Sequence, residues 1–474
     1  MGWRSVVVAG MGLMLGGRQD VQQPEPPPAF TDAERQAVVA FWNAPGRIEY
    51  DLPPQAATSG PWRVNLTVEG SKWLWAYNRM IAPGKLPPSQ DPKAQNDRQA
   101  AWEAWIQAKV DYDRYLAAID AERNNLSETG KTFGLVPDPA PAQPGPQPQE
   151  LTDRLGPAPR FAEAVRPVQA TVRFDDGTVL KLANHTPMRA RYAYYRFPQG
   201  VMSGGTSVRT MPGSELDALF RRAGIPPKVQ RVMQAVSLLE GGFDSINTYD
   251  TGYVSVGFIQ FACLSSGAGS LGSMLLRYKT DSPEDFQKDF RAFGIDVLPD
   301  GRLAVVHPAD GTEKRGLEAA MAIIEHPGLI AVFQRAGQRS DPYRIAQVRT
   351  AMAMFYPEDD VLSVPIGDRV ETVRVGDIVR TEAGLATLMD RKVNTGKLDP
   401  LPQVLAQLAE EYGLESLREA ADLEREIVAA MRYRRDYLAS ADLGQPEPPS
   451  RHKKSRSGQP PASRHKSPRK PAKR

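Results

Sequence analysis

The residues with the clearest chemical potential lie in SLLEGGFDSINTYDTGYVSVGFIQF, residues 237–261. Glu240 closes an apolar run there, and Asp250 follows ten residues later. Apolar surroundings favour the neutral form of a carboxyl, and an acid kept protonated near neutral pH can donate to a leaving-group oxygen. A second carboxylate roughly 6.5–9.5 Å away can activate a water, which together is the chemistry of glycosidic cleavage. Glu240 is thus the candidate acid and Asp250 the candidate base. Each has a plainer alternative: a helix-terminal Glu turned to water, and an Asp serving its turn.

Such a site needs elements to hold it. In PPKVQRVMQAVSLLE (226–240) the prolines suit a helix start, and Val229, Val232, Met233 and Val236 recur at helical spacing. Glu240, eleven residues after Val229, falls back on that buried stripe at the negative end of the helix dipole. Gly241 and Gly242 then offer a left-handed helix ending. INTYDTGYVSVGFIQF predicts two strands around a DTG turn, with Gly257 inside the second strand permitting close approach of a backbone or ligand. Ser255 and Gln260 supply neutral groups that could orient a sugar. Tyr249, Tyr253 and Tyr356 could stack on sugar rings or simply pack.

The combination of Glu240 with Ser255-Val256-Gly257-Phe258-Ile259-Gln260 resembles the catalytic signature of the lysozyme-like superfamily, particularly lytic transglycosylases and chitosanase-like enzymes. The interval between the Glu and the Ser-x-Gly-x-x-Gln element is slightly longer than is usual in the transglycosylases. LMDRKVNTGK (388–397) also resembles the Asp-x-x-Val-Asn-x-Gly element of some phage-type muramidases, through Asp390, Val393, Asn394 and Gly396. The resemblance covers roughly residues 214–410 and implies a mainly α, α+β lysozyme-like fold with a small β-hairpin element lining a sugar cleft. It implies Glu240 as general acid, Asp250 as possible partner, and Tyr249, Ser255, Gly257 and Gln260 as substrate-binding residues, with no metal or other cofactor. The substrate would be a β-1,4-linked amino-sugar polymer, peptidoglycan foremost, with chitosan and chitin open. Hydrolysis and anhydro-sugar formation both remain open.

The chain has 474 residues, enough for about three folded segments, with 41% hydrophobic and 24% charged residues and a net charge of +3. Arg4 followed by SVVVAGMGLMLGG suggests a leader over 1–24 and an exported protein. Residues 25–134 predict a helical N-terminal module, whose clearest helix places Trp102, Trp105, Ile106, Tyr112, Leu116 and Ile119 on one broad face. PDPAPAQPGPQPQ marks a Pro-rich linker over 135–150. A β-containing connecting segment, 151–213, carries a hairpin around its DDG turn. Residues 214–440 form the expected catalytic domain, closed by one or two amphipathic helices over 410–438. The stretch 441–474 is expected to be a disordered basic tail. Residues 451–474 hold ten Lys and Arg and no acid, a composition that suits binding to an anionic wall polymer or another polyanion, or plain solubility.

Other signals point less far. Gly267, Gly269 and Gly272 match the spacing of a dinucleotide fingerprint, yet SPEDFQKDFRAFGID follows where a second strand is required, so no dinucleotide is expected. The five histidines show no metal-ligand spacing, and the single cysteine, Cys263, is expected as a small buried hydrophobe. A non-catalytic cell-wall or polyanion-binding protein on the same scaffold is the alternative to the enzyme.

Overall fold

The computed structural model describes residues 27–51, 60–81, 92–184 and 196–447. The proposed leader and the basic run 451–474 lie outside them. The described chain is helix-rich, with five small antiparallel sheets of two to four strands.

The helical N-terminal module does not form one unit. The helix Asp32–Trp42 inserts Val38 and Trp42 into the main core, beside Phe174 and Phe293. The strand Ile48–Asp51 then pairs with Gln169–Arg173, which forms the expected hairpin with Val179–Ala183. Between these partners the chain leaves the main body and builds a second, smaller core. It is formed from the helices Val68–Met80 and Pro92–Thr129 and the strand pair Arg63–Leu66 and Ala162–Val165. Trp102, Ile106 and Val110 fill it, while Tyr112, Leu116 and Ile119 are only partly buried. The Pro-rich 135–150 stretch is no free spacer. Glu122 accepts the backbone N–H of Leu135 at 2.7 Å, and Trp105 donates its indole N–H to the Gly145 carbonyl at 2.9 Å.

In the main body the helix Pro227–Ser237 starts on its prolines and buries Val229, Val232, Met233 and Val236, as the spacing predicts. It ends three residues before Glu240, with Leu238 as a right-handed cap. Gly241 and Gly242 instead run against the 204–206 segment, where the Gly242 N–H donates to the Gly204 carbonyl at 2.9 Å. The helix Glu382–Thr395 packs on Pro227–Ser237. The 410–438 region is broken further than expected, into the end of the helix Leu401–Tyr412, a tight turn of helix Leu417–Leu423, the helix Glu424–Met431 and a short turn Tyr437–Ala439, with residues 432–436 looping between the last two. The supposed tail also begins later. Leu443 is buried, and the Gly444 N–H donates to Glu382 at 2.8 Å, so residues 441–447 belong to the folded body. A hairpin of Val361–Ile366 and Arg369–Arg374 was not anticipated. Gly272 of the glycine-rich stretch backs onto the Gly301 carbonyl inside the fold, leaving no room there even for a methyl group.

Candidate active site

Glu240 sits in the trailing turn of the Pro227–Ser237 helix, its N–H bonded to the Ser237 carbonyl at 3.0 Å. Its side chain is only 9% exposed. Two elements distant in sequence reach it. From the Glu382–Thr395 helix, Asn394 donates to Glu240 Oε1 at 3.4 Å and to the Asp390 carbonyl at 2.8 Å. From the 432–436 loop, the Arg434 guanidinium ion-pairs with both Glu240 Oε1 and Asp390 Oδ1, and its Nε meets Asp390 Oδ1 at 2.9 Å. Asp390 is 1% exposed. Asp390 and Asn394 are four residues apart, one helical turn, and so face the same way.

Two buried carboxyls therefore share one guanidinium. With both ionised the cluster would carry an uncompensated negative charge; one proton makes it neutral. Burial pushes the Glu240 carboxyl above the usual glutamate range, and the neighbouring Asp390 adds to the rise, while Arg434 and Asn394 oppose it. Burial disfavours the Arg434 charge, but Glu240 and Asp390 outweigh it and hold the guanidinium more firmly protonated. Arg434 meets Asp390 Oδ1 through both Nε and its terminal nitrogen, while Asp390 Oδ2 is buried without a partner and Glu240 Oε2 likewise has no hydrogen-bond partner among the described residues. The raised Glu240 carboxyl makes it the candidate to carry that proton.

The strand element is arranged beside Glu240 through Ser245. Ser245 Oγ donates to the Gly257 carbonyl at 2.8 Å, and Gln260 Nε2 donates to Ser245 Oγ at 2.7 Å. A Cβ on Gly241 would lie 2.7 Å from that serine, so Ser245, held by Gly257 and Gln260, stands against the residue that follows Glu240. Gly257 lies in a turn, not inside a strand: the second strand splits into Ser255–Val256 and Phe261–Ala262. Its φ of +80° and the Gln347 amide, 2.2 Å from where a Cβ would be, explain the glycine through helix packing. Tyr253, Gln260 and Leu264 all take positive φ, the only non-glycine residues described that do. Concentrated backbone strain of this kind is a mark of functional elements.

Three predicted site residues are placed elsewhere. Asp250 holds its own turn, accepting from Gly252 N–H at 2.8 Å and Asn247 Nδ2 at 2.9 Å, at the hairpin end away from Ser245. Burial raises its pKa, the turn bonds and Arg196 oppose the rise, and no contact among the described residues links it to Glu240. Ser255 is buried on the Asp250 side, against Gly252. Tyr249 is 4% exposed and belongs to the second core with Trp73, Tyr77 and Trp102, so it has no face for a sugar. Tyr356 is likewise buried, and Tyr253 rests on Phe197 with ring centres 5.1 Å apart.

Compared with protein-family models, curated proteins and solved structures, the chain shows no match.

The Glu240 cluster therefore stands on its own geometry. Arg434 was missed because nothing local marks it within RYRRDYL; the usable signal was that a buried acid needs a cation. Asp390 and Asn394 were visible as a motif, but their meeting with Glu240 spans about 150 residues. Among the described residues no cluster of His, Cys, Asp and Glu is placed to hold a metal ion. Cys263 is buried and its thiol is pushed up to about 11, mainly by burial, which makes it a poor nucleophile.

Proposed function

We propose that this protein is a glycosidase of lysozyme-like type that cleaves β-1,4 bonds of an amino-sugar polymer, peptidoglycan foremost, at the cell envelope. The observation that carries the proposal is Glu240, buried, raised in pKa, sharing Arg434 with Asp390, and with one oxygen unengaged among the described residues. In the reaction, protonated Glu240 gives its proton to the glycosidic oxygen as the C1–O bond breaks and the electron pair leaves with that oxygen. The cationic C1 is captured by a hydroxyl, and the Glu240 carboxylate takes up the proton that hydroxyl loses.

Because Asp250 is tied into its own turn, one carboxylate performs both steps. That favours capture by the substrate's own C6 hydroxyl, a lytic transglycosylase outcome, over an inverting pair. Export and polyanion binding by the basic tail fit the same setting.

The test is digestion of purified peptidoglycan by wild type and Glu240→Gln, with products weighed by mass spectrometry. Anhydro-muramyl products that vanish in the variant are expected. Reducing-end products would replace the internal hydroxyl by water. Release of nothing by wild type, from peptidoglycan or chitosan, would leave the binding protein in its place.

A further inference from the structure

The Pro227–Ser237 helix also lines a cavity of about 450 Å³ with its residues Gln234 and Ala235 and its cap Leu238. That volume lies within the span of small-molecule sites. The opposite walls come from the 208–216 segment and from Arg435, Ser440, Asp442 and Leu443. Along the chain, its lining residues Arg435 and Leu238 stand one residue from Arg434 and two from Glu240.

Its lining has two characters. Met211, Leu216, Ala235, Leu238 and Leu443 make an apolar surface. Around it stand three guanidiniums, Arg209, Arg231 and Arg435, against the single carboxylate of Asp442. Arg231 is committed to Glu382 at 2.6 Å. Arg209 and Arg435 have no ion pair among the described residues; Arg435 lies over the Tyr437 ring at 5.5 Å. Two uncommitted guanidiniums over an apolar wall suit a ligand carrying carboxylates and small alkyl groups together.

We infer that this cavity is a subsite for a short peptide with a free carboxylate, attached to the glycan that Glu240 cleaves. The inference rests on the glycosidase proposal for its context and extends it to the substrate's side group. Muramic acid bears its peptide through a lactyl ether, and that peptide carries alanine methyls and carboxylates. Chitin has no such group, and chitosan carries amines that the arginines would repel. The cavity therefore selects peptidoglycan by charge.

The test is calorimetric titration of the full-length protein with muramyl dipeptide, its methyl ester, and inorganic phosphate. It uses wild type and Arg209→Ala/Arg435→Ala, with thermal melts confirming that the variant folds. The free dipeptide is expected to bind wild type and to bind the variant about tenfold more weakly, the scale of one lost charge-assisted hydrogen bond. The ester should show the same weakening on wild type. Equal binding to both proteins, or none to wild type, overturns the inference. Displacement of the dipeptide by phosphate at equal concentration would mean that charge alone is read, and would overturn the peptide assignment. Binding is read without cleavage, so an inactive protein that still needs both arginines for the dipeptide would sink the glycosidase and keep the subsite.

Discussion

Replacing Arg434 by Met removes the one cation from a cluster that holds two carboxyls. Arg434 is 30% exposed, Glu240 9% and Asp390 1%, so the pair is largely out of water. Removing one partner of such a pair costs about 3–5 kcal/mol, and partial exposure of the arginine places Arg434→Met near the lower end, at about 3 kcal/mol. The cost depends on pH with a definite sign. Glu240 already has its folded-state pKa raised, and loss of Arg434, which opposes that rise, lifts it further. A raised carboxyl favours the protonated folded state, so stability is full below the unfolded pKa and falls as pH climbs through the folded one. Urea unfolding of both proteins, followed by tryptophan fluorescence, should show a small difference near about pH 4 that grows toward about pH 8. The double variant Glu240→Gln/Arg434→Met should recover part of the loss at the higher pH. A loss of equal size at both pH values, with no recovery in the double variant, would refute the shared-guanidinium account.

Three further outcomes follow from the same geometry. The alkaline limb of kcat/KM should lie above the ordinary glutamate range of about 4.3, because free enzyme must hold Glu240 protonated; a limb within that range would remove Glu240 as the acid. Asp250→Asn should keep cleavage within a few-fold of wild type, since asparagine preserves a turn, whereas Glu240→Gln abolishes it; comparable losses measured on peptidoglycan would restore Asp250 to the chemistry. Gly257→Ala should cost about 2 kcal/mol in a denaturant melt and slow cleavage. Its new methyl group meets a Gln347 amide that is already pinned to Phe258 N–H and the Phe243 carbonyl.

Local pattern carried much of this fold. The Val229–Val236 stripe and the DDG hairpin follow from spacing and turn chemistry that act within about a dozen residues, whereas the helix stops short of Glu240, which distant residues cover. The Val361–Arg374 hairpin is equally legible, since VLSVPI and RVETVR flank a Gly-Asp turn, although helical patterns surround it on both sides. Arg434, the burial of Tyr249 and the true role of Gly257 were not legible in this way. Each depends on which distant surface arrives: a loop 194 residues downstream, a second core, and the Asp341–Phe355 helix. Periodicity reports that a face is covered without saying by what.

The departure of the chain from the main body between Ile48–Asp51 and Gln169–Arg173 bears on how this protein can be taken apart. Asp51 and Gln169 are paired across neighbouring strands, so exit and re-entry lie about 5 Å apart. The intervening hundred-odd residues are a graft on a hairpin, and an Asn-Gly turn could close the stump. Among the described residues the graft leans on the body through Tyr249 and through Arg196, which donates to Ser71 Oγ at 3.0 Å, and a polar residue at 249 would heal part of the exposed scar. A minimal body made this way would reveal whether the graft chooses where the protein works or shapes what it cuts.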